Sequence, residues 1–239
     1  MKISKYIFFS FSLLFITKTL SAQEYIYEKR ERDWKPSEVF FSADVVGLGR
    51  LISGDIQSEF QTKIDFDQFY LALDGGRSDL SSSGNGFNYS SSGYFFRVGP
   101  QANLIPYNKN RSSIFFGVNY AQSLFSDQID YRVIQSAWGE QDLSFKNDNL
   151  TARWFEANLG IQARIFGPIY LGYTIRFKMA KKLSGEGVLE AYEIPGFGRA
   201  SSSATFGFNY YIIYRLGFRD KPIPAKPRKI KVKDENDSN

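Results

Sequence analysis

The chain contains neither cysteine nor histidine among its 239 residues. Without cysteine it has no disulfide framework, no thiolate metal site and no lipoprotein acylation site. Without histidine it lacks the usual general base of acyl-transfer and protease sites, and also the commonest metal ligand. These absences argue against an enzyme, and the sequence predicts no catalytic residue, no cofactor and no metal site.

Long hydrophobic runs are also scarce beyond the N-terminus. Aromatic residues make up 17% of the chain, yet the mean hydropathy is only −0.32, so the apolar residues are dispersed rather than gathered into spanning helices. A transmembrane β-barrel has this profile because its lipid-facing and lumen-facing residues alternate. The net charge of +5 is modest and lies largely between Lys221 and Lys233, so we expect no nucleic-acid partner.

The first residues have the pattern of a secretory signal. Lys2 and Lys5 precede an apolar run from Tyr6 to Ile16, and Leu20-Ser21-Ala22 provides a small-residue cleavage site. A retained membrane anchor is the alternative, but the apolar run is short for a spanning helix. We therefore expect the mature chain to begin at Gln23.

The clearest pattern is an alternation of apolar and polar residues near the C-terminus. From Ala204 to Phe218 every second residue is apolar, and most residues between them are small or polar. A period of two over this length predicts an extended strand, long enough to cross a membrane obliquely. Because it also ends on an aromatic residue, it is typical of the closing strand of an outer-membrane β-barrel.

The same alternation recurs upstream and predicts eight strands. Residues 153–165 and 169–180 form the clearest hairpin, joined by a tight turn at Phe166-Gly167-Pro168. The two weakest strands are Val39 to Leu51 and Ile56 to Ile64, and the alternation is interrupted after the second. Single-chain bacterial barrels have an even number of strands, which favours this division.

Long and short connections alternate between these strands, as extracellular loops and periplasmic turns do. The sequence therefore predicts an all-β fold, a transmembrane antiparallel β-barrel of about eight strands with both termini in the periplasm. A soluble barrel of the lipocalin type is the alternative, but the Gly, Asn, Gln and Thr of the polar face suit a crowded interior better. The long connections are residues 78–93, 127–149 and 184–201, and the short ones are 65–67, 106–112 and 166–168.

On this interpretation the chain has four parts. Residues 1–22 are the signal peptide, 23–37 a periplasmic segment, 38–218 the barrel and 219–239 a basic, proline-containing periplasmic tail. The prolines favour an extended tail. Its cations either engage an acidic partner or anionic headgroups, or are simply solvated.

The polar faces of the predicted strands place charged side chains in the lumen. If Ile165 faces Ile169 across the turn, Glu156 lies opposite Lys178 and Asn158 lies opposite an arginine. A gate or ion path is one interpretation, but an eight-stranded barrel encloses little more than its own side chains, which favours an internal polar core. The predicted lumen charge network consists of Asp44, Arg50, Glu59, Lys63, Asp74, Arg97, Glu156, Arg164, Arg176, Lys178 and Arg215.

The last long connection contains apolar residues in a turn-forming context, Ile194, Pro195, Gly196 and Phe197. Exposed apolar loops often mark contacts with other proteins, so this segment is a candidate partner contact. The alternative is a lid, with Ile194 and Phe197 folded over the mouth of the barrel.

Several segments together resemble an uncharacterised outer-membrane β-barrel family of Gram-negative bacteria, known only as a domain of unknown function. The resemblance spans about Val39 to Phe218 and implies the barrel fold, but it brings no activity, cofactor or catalytic residue. The segments are Trp154 to Ile161, Tyr170-Leu171-Gly172, Ile194-Pro195-Gly196-Phe197 and Phe206-Gly207-Phe208-Asn209-Tyr210.

These observations favour a non-enzymatic barrel in the outer membrane of a Gram-negative bacterium. We expect a structural or accessory scaffold that contacts outer-membrane lipids and, through its loops and termini, an envelope lipoprotein or an outer-membrane assembly complex. A narrow channel for ions or small solutes is the alternative.

Overall fold

The computed structural model describes residues 25–27, 32–50, 56–84, 86–135, 139–187, 189–224, 226 and 229–231. The chain forms two compact units, one of residues 33–224 and one of residues 1–32 with 225–239. The predicted signal peptide, residues 1–22, lies outside the described residues. The strands are β1 (Tyr25–Tyr27), β2 (Glu38–Asp44), β3 (Ile56–Phe66), β4 (Phe69–Gly84), β5 (Phe87–Asn103), β6 (Ser113–Gln135), β7 (Gly139–Phe166), β8 (Ile169–Ser184), β9 (Glu193–Ile194), β10 (Gly198–Arg199), β11 (Ala204–Gly217) and β12 (Lys229–Lys231).

Eight of these strands form one antiparallel sheet that closes on itself, in the order β11-β2-β3-β4-β5-β6-β7-β8. This confirms the all-β prediction and the strand number that the alternation gave. A six-residue helix, α1 (Val45–Arg50), follows β2. In the part of the chain that the structure describes, no helix is long and apolar enough to cross a membrane.

Apolar side chains cover the outside of the barrel and polar ones fill the inside. On five strands the outward positions are apolar over eleven residues, with Gln122 as the one polar exception, and many of these side chains are about half exposed. We call this surface the outer apolar band. Its segments are Tyr94 to Leu104, Ile114 to Leu124, Phe155 to Ile165, Ile169 to Met179 and Phe206 to Leu216.

Two of the predicted long connections are in fact strands. β4 and β5 pair out to Gly84 and Phe87, and β6 and β7 pair out to Gln135 and Gly139. The Ser, Asn and Asp residues of these segments favoured loops. A pair of strands with both faces in solvent buries no apolar face, so its sequence shows no alternation of apolar and polar residues. The third connection contains only the two-residue strands β9 and β10, which pair with each other.

The first predicted strand is also shorter than expected. β2 ends at Asp44 and α1 follows from Val45, so the predicted strand is wrong over residues 45–50, while Leu51 lies outside the described residues. Here Val45 and Val46 are consecutive apolar residues that break the period of two. β11 pairs with β2 only as far as Asp44.

The hairpin of β7 and β8 has the predicted register over most of its length. Glu156 pairs with Lys178 and Asn158 with Arg176. Near the turn the register shifts by one residue, so that Phe166 rather than Ile165 pairs with Ile169.

Inward-facing glycines make room for large side chains inside the narrow barrel. A Cβ at Gly160 would overlap the ring of Phe115, which is almost fully buried. A Cβ at Gly99 or Gly117 would likewise overlap Asn119 or Gln101. The interior is therefore filled by side chains that lie flat against glycine positions.

We predict that Gly160→Ala destabilises the protein by about 1–3 kcal/mol, because the added methyl group displaces the Phe115 ring. Gly75→Ala is the matched control, since a Cβ there would have only the Phe95 carbonyl oxygen near it, at 4.0 Å. Both substitutions replace glycine by alanine, so both lower the conformational entropy of the unfolded chain by the same amount. Equilibrium urea unfolding would measure the difference, and equal midpoints for the two variants would contradict this packing.

Candidate functional site

Arg176 on β8 lies at the centre of the barrel interior and contacts carboxylates from three other strands. Its Nη2 is 2.9 Å from Glu59 and 2.8 Å from Asp74, and its Nη1 is 3.3 Å from Glu156. Its Nε donates to Asn209 at 2.8 Å. All of these guanidinium nitrogens therefore face acceptors on other strands.

Arg97 on β5 completes this network. Its Nη1 lies 2.9 Å from Glu59 and its Nε 2.9 Å from Glu156, so both carboxylates bridge the two arginines. We call Glu59, Asp74, Arg97, Glu156 and Arg176 the central ion network. The side chains of all five are at most 3% exposed.

Neutral side chains complete the hydrogen bonding of the acids. Tyr211 donates to Glu59 at 2.6 Å, Trp154 Nε1 to Glu156 at 2.8 Å, and Gln61 to Asp74 at 2.9 Å. Buried charges are tolerated only when they are paired and hydrogen-bonded. Each member of the network is paired and makes at least one hydrogen bond, although Asp74 Oδ2 and Arg97 Nη1 have ion-pair contacts only. The network joins β3, β4, β5, β7, β8 and β11 across the lumen.

Two buried lysines lie inside the barrel without an ion pair among the described residues. The Nζ of Lys63 lies 3.5 Å from the centre of the Phe115 ring. The Nζ of Lys178 donates to the carbonyl oxygens of Gly196 and Phe197, at 2.8 and 3.2 Å. Lys178 thus pairs with Glu156 in register, but its ammonium group bonds to the loop instead.

Eight of the eleven predicted lumen charges lie inside the barrel, and the others need correction. Arg164 is exposed and donates to the Gly167 carbonyl at 2.8 Å, because it lies close to the turn, where a long side chain reaches solvent. Arg215 lies at the end of the barrel with the short turns, where it pairs with Glu38. The side chain of Arg50, in α1, lies outside the described residues.

The loop between β8 and β11 folds into the barrel. Ile194 and Phe197 are each only 1% exposed and pack in one cluster with Phe95 and Trp154. The rings of Trp154 and Phe197 lie 5.5 Å apart, edge to face. We call residues 191–200 the plug loop.

The predicted partner contact at Ile194, Pro195, Gly196 and Phe197 is therefore wrong, since all four residues are buried. The lid alternative is the one that the structure has. The apolar side chains at 194 and 197 gain more by packing on Trp154 inside the barrel than by exposure at its rim.

Polar contacts fix the plug loop to the barrel wall. Arg97 Nη2 donates to the Gly196 carbonyl at 3.1 Å, beside the bond from Lys178. Ser91 donates to the Glu193 carbonyl at 3.1 Å, and the Tyr89 hydroxyl accepts from the Glu193 amide at 3.2 Å. Tyr89 and Ser91 were not predicted because residues 78–93 have the composition of a loop; the spacing of two between these residues was the available signal.

The segment after β11 packs against the end of the barrel that carries the short turns. Lys221 Nζ lies 3.3 Å from Asp65 and 3.6 Å from Asp67. Arg219 lies 2.7 Å from Asp33, and its hydrogen bond lowers the pKa of that carboxyl group. This packing covers one mouth of the barrel, while the plug loop fills the other.

The fold and interior define a closed eight-stranded antiparallel barrel with an ion-paired, plugged lumen. Residues 4–221 match the family described as Domain of unknown function (DUF6048), so the chain belongs to that family. No curated protein matches the chain. Among the described residues, no group of three or more Asp or Glu side chains could hold a metal ion.

We predict that Arg176→Met destabilises the protein by about 3–5 kcal/mol, because it leaves buried carboxylates without their shared cation. Arg132→Met is the control, since Arg132 pairs with Asp142 on an exposed part of the sheet and should change stability by less than about 1 kcal/mol. Urea unfolding of both variants would measure this. An equally small loss of stability in both variants would contradict the central ion network.

The plug loop gives a second prediction. Gly196 has φ +78°, and a Cβ there would lie 2.5 Å from the Phe95 ring, so Gly196→Ala should expel the loop. Backbone strain at residue 196 should shift the equilibrium between the packed and the open plug loop toward the open form. Trypsin cleavage follows the population of the open form, so cleavage after Arg199 should be roughly tenfold faster than in wild type. Gly75→Ala serves as control, and an unchanged cleavage rate in Gly196→Ala would argue against the plug.

Proposed function

We propose that this protein spans the outer membrane of a Gram-negative bacterium and acts there as a non-enzymatic structural or accessory subunit. The observation that carries this proposal is the outer apolar band around a polar, ion-paired interior. This is the reverse of the arrangement in a soluble barrel, where the apolar side chains face inward.

The height of the outer apolar band agrees with a membrane location. Eleven residues span ten steps of about 3.3 Å, which at a tilt of about 45° gives a height of about 23 Å. The apolar belt of an outer-membrane barrel is about 25 Å tall. Over most of its circumference the sheet also pairs its backbone groups internally, as a hydrocarbon environment demands.

The orientation proposed from the sequence places the short turns in the periplasm. Residues 37 and 218 lie at that end of the barrel, since the amide of Phe218 donates to the Ser37 carbonyl there. The signal-like residues 1–22 agree with export. On this orientation the plug loop lies toward the outside of the cell.

The filled lumen favours a structural role over conduction. Solute would have to pass the plug loop, the central ion network and the segment around Lys221 in turn. Each of these is held by several polar contacts. A narrow channel therefore requires a conformation other than this one.

The projecting ends of β4 to β7 are the surface we propose for partner contacts. They extend beyond the outer apolar band and carry Phe87 and Leu143, which are exposed, and a stacked pair of rings, Tyr131 and Phe145. Exposed apolar residues on such extensions often form contacts. An envelope lipoprotein or an outer-membrane assembly complex remains the class of partner proposed.

The test is to express the full chain in a Gram-negative host and fractionate its membranes. We expect recovery with the outer membrane, a shift in gel mobility on boiling, and no steady conductance when the purified barrel is placed in a planar bilayer. Gentle detergent extraction should co-purify a stoichiometric partner with the wild-type barrel. The double variant Phe87→Ser with Leu143→Ser should lose this partner but keep the shift in gel mobility on boiling.

Two outcomes would contradict the proposal in different ways. Recovery in the soluble periplasmic fraction would remove the membrane location. Steady conductance without any stoichiometric partner would replace the accessory role with the narrow channel.

A further inference from the structure

One side of the barrel wall is not joined by a strand ladder. β11 pairs with β2 only between Tyr211 and Gly217, so its residues 204–210 have no ladder on that side. β3 likewise pairs with β2 only from Phe60 onward. The helix α1 contacts both β3 and β11. We call this part of the wall the seam.

The helix is held closely in the seam. A Cβ at Gly47 would overlap the carbonyl oxygen of Gln57 on β3, so the α1 backbone lies directly against that strand. On the other side, Asp44 accepts a hydrogen bond from the Tyr210 amide at 3.2 Å. One side chain thus satisfies a backbone group that a neighbouring strand would otherwise pair.

A cavity of about 400 Å³ lies at the seam. Its inner side includes Asp44, Arg97 and Lys178, which belong to the barrel interior. Its outer side includes Phe206 and Phe208, which are 65% and 58% exposed and belong to the outer apolar band. The cavity therefore connects buried charges with the apolar outer surface, and its volume is that of a small-ligand site.

Two charged groups that line the cavity, Lys178 and Asp44, form no ion pair among the described residues. Arg97 and Glu59 compensate each other within the central ion network. Among the described residues, no carboxylate lies within 4.0 Å of the Lys178 ammonium, and no cation within 4.0 Å of Asp44. The partners of Asp44 are neutral: the Asn209 amide at 3.0 Å and the backbone amides of Val46 and Tyr210.

These two charges are spaced along β11. The end of the Lys178 side chain lies over Gly207, where a Cβ would be 3.0 Å from its Nζ. Asp44 bonds to the side chain of Asn209, two residues further on. Two strand residues span about 7 Å, which suits a ligand that carries an anion and an ammonium group a few bonds apart.

We infer that the seam cavity binds the headgroup of a zwitterionic phospholipid of the phosphoethanolamine class. The phosphate accepts a hydrogen bond from Lys178 and the ammonium donates to Asp44, while the acyl chains lie along Phe206 and Phe208. This inference rests on the proposed membrane location. The same headgroup chemistry exists in free glycerophosphoethanolamine, but that molecule would not use the exposed aromatic side of the cavity.

The test uses the full mature chain in detergent and in lipid nanodiscs, with native mass spectrometry of retained lipids. The probes are phosphatidylethanolamine, phosphatidylglycerol with the same acyl chains, and soluble glycerophosphoethanolamine. We expect one phosphatidylethanolamine per barrel, bound roughly tenfold more tightly than phosphatidylglycerol, as one charged hydrogen bond provides. The soluble headgroup should compete weakly.

The variants separate the two charges. Asp44→Asn should remove the preference for phosphatidylethanolamine over phosphatidylglycerol, and it leaves the plug loop untouched. Lys178→Met should weaken both lipids roughly tenfold. Lys182→Met, an exposed lysine on the same strand, should bind as wild type does. Because Lys178→Met also removes a plug contact, trypsin cleavage after Arg199 is measured alongside.

Several results would overturn the inference. Equal retention of both lipids by wild type, or an unchanged preference in Asp44→Asn, would remove the headgroup site. Equal binding of soluble glycerophosphoethanolamine would replace the lipid with a free zwitterion. A barrel that enters nanodiscs but retains no lipid would refute this inference alone, whereas failure to enter them at all would refute the proposed function.

Discussion

The small interior of an eight-stranded barrel is the constraint on which the rest of this structure depends. Such a barrel has room for its own side chains and little else, so each charge inside it needs a compensating contact nearby, which for Lys63 is the Phe115 ring. Arg176 meets this demand by bridging three carboxylates on three strands. Inward glycines such as Gly160 follow from the same limit, because a large side chain fits only where its neighbour has none.

The sequence predicted what depends on the period of two and missed what depends on distances across the lumen. Alternation identified eight strands, their inward faces and the pairing of Glu156 with Lys178. It could not identify which acid Arg176 contacts, since Glu59 lies 117 residues away and alternation assigns a face, not a partner. Alternation also could not distinguish paired strands that are polar on both faces from a loop, so the projecting ends of β4 to β7 were not predicted.

The seam originates in the short β2 strand, whereas the plug loop is held by side chains of other strands. Consecutive apolar residues after Asp44 end the alternation, and the chain forms a helix where residues 204–210 of β11 would need a ladder partner. The carboxylate of Asp44 then caps the open edge of β11. Across the interior, Lys178 forms no ion pair among the described residues and bonds to the Gly196 carbonyl, which holds the loop inside the barrel.

A lumen closed at both mouths leaves two regions where this barrel can interact with other molecules. One is the projecting sheet beyond the outer apolar band, which solvent and proteins can reach. The other is the seam, where helix contacts and the hydrogen bonds of Asp44 to β11 replace the hydrogen-bond ladder of the wall. The central ion network and its neutral hydrogen-bond partners join six strands, whereas the seam lacks a backbone ladder, so the wall opens with least disruption at the seam. In the membrane location that we propose, exchange between the interior charges and the bilayer would therefore proceed sideways, past Phe206 and Phe208.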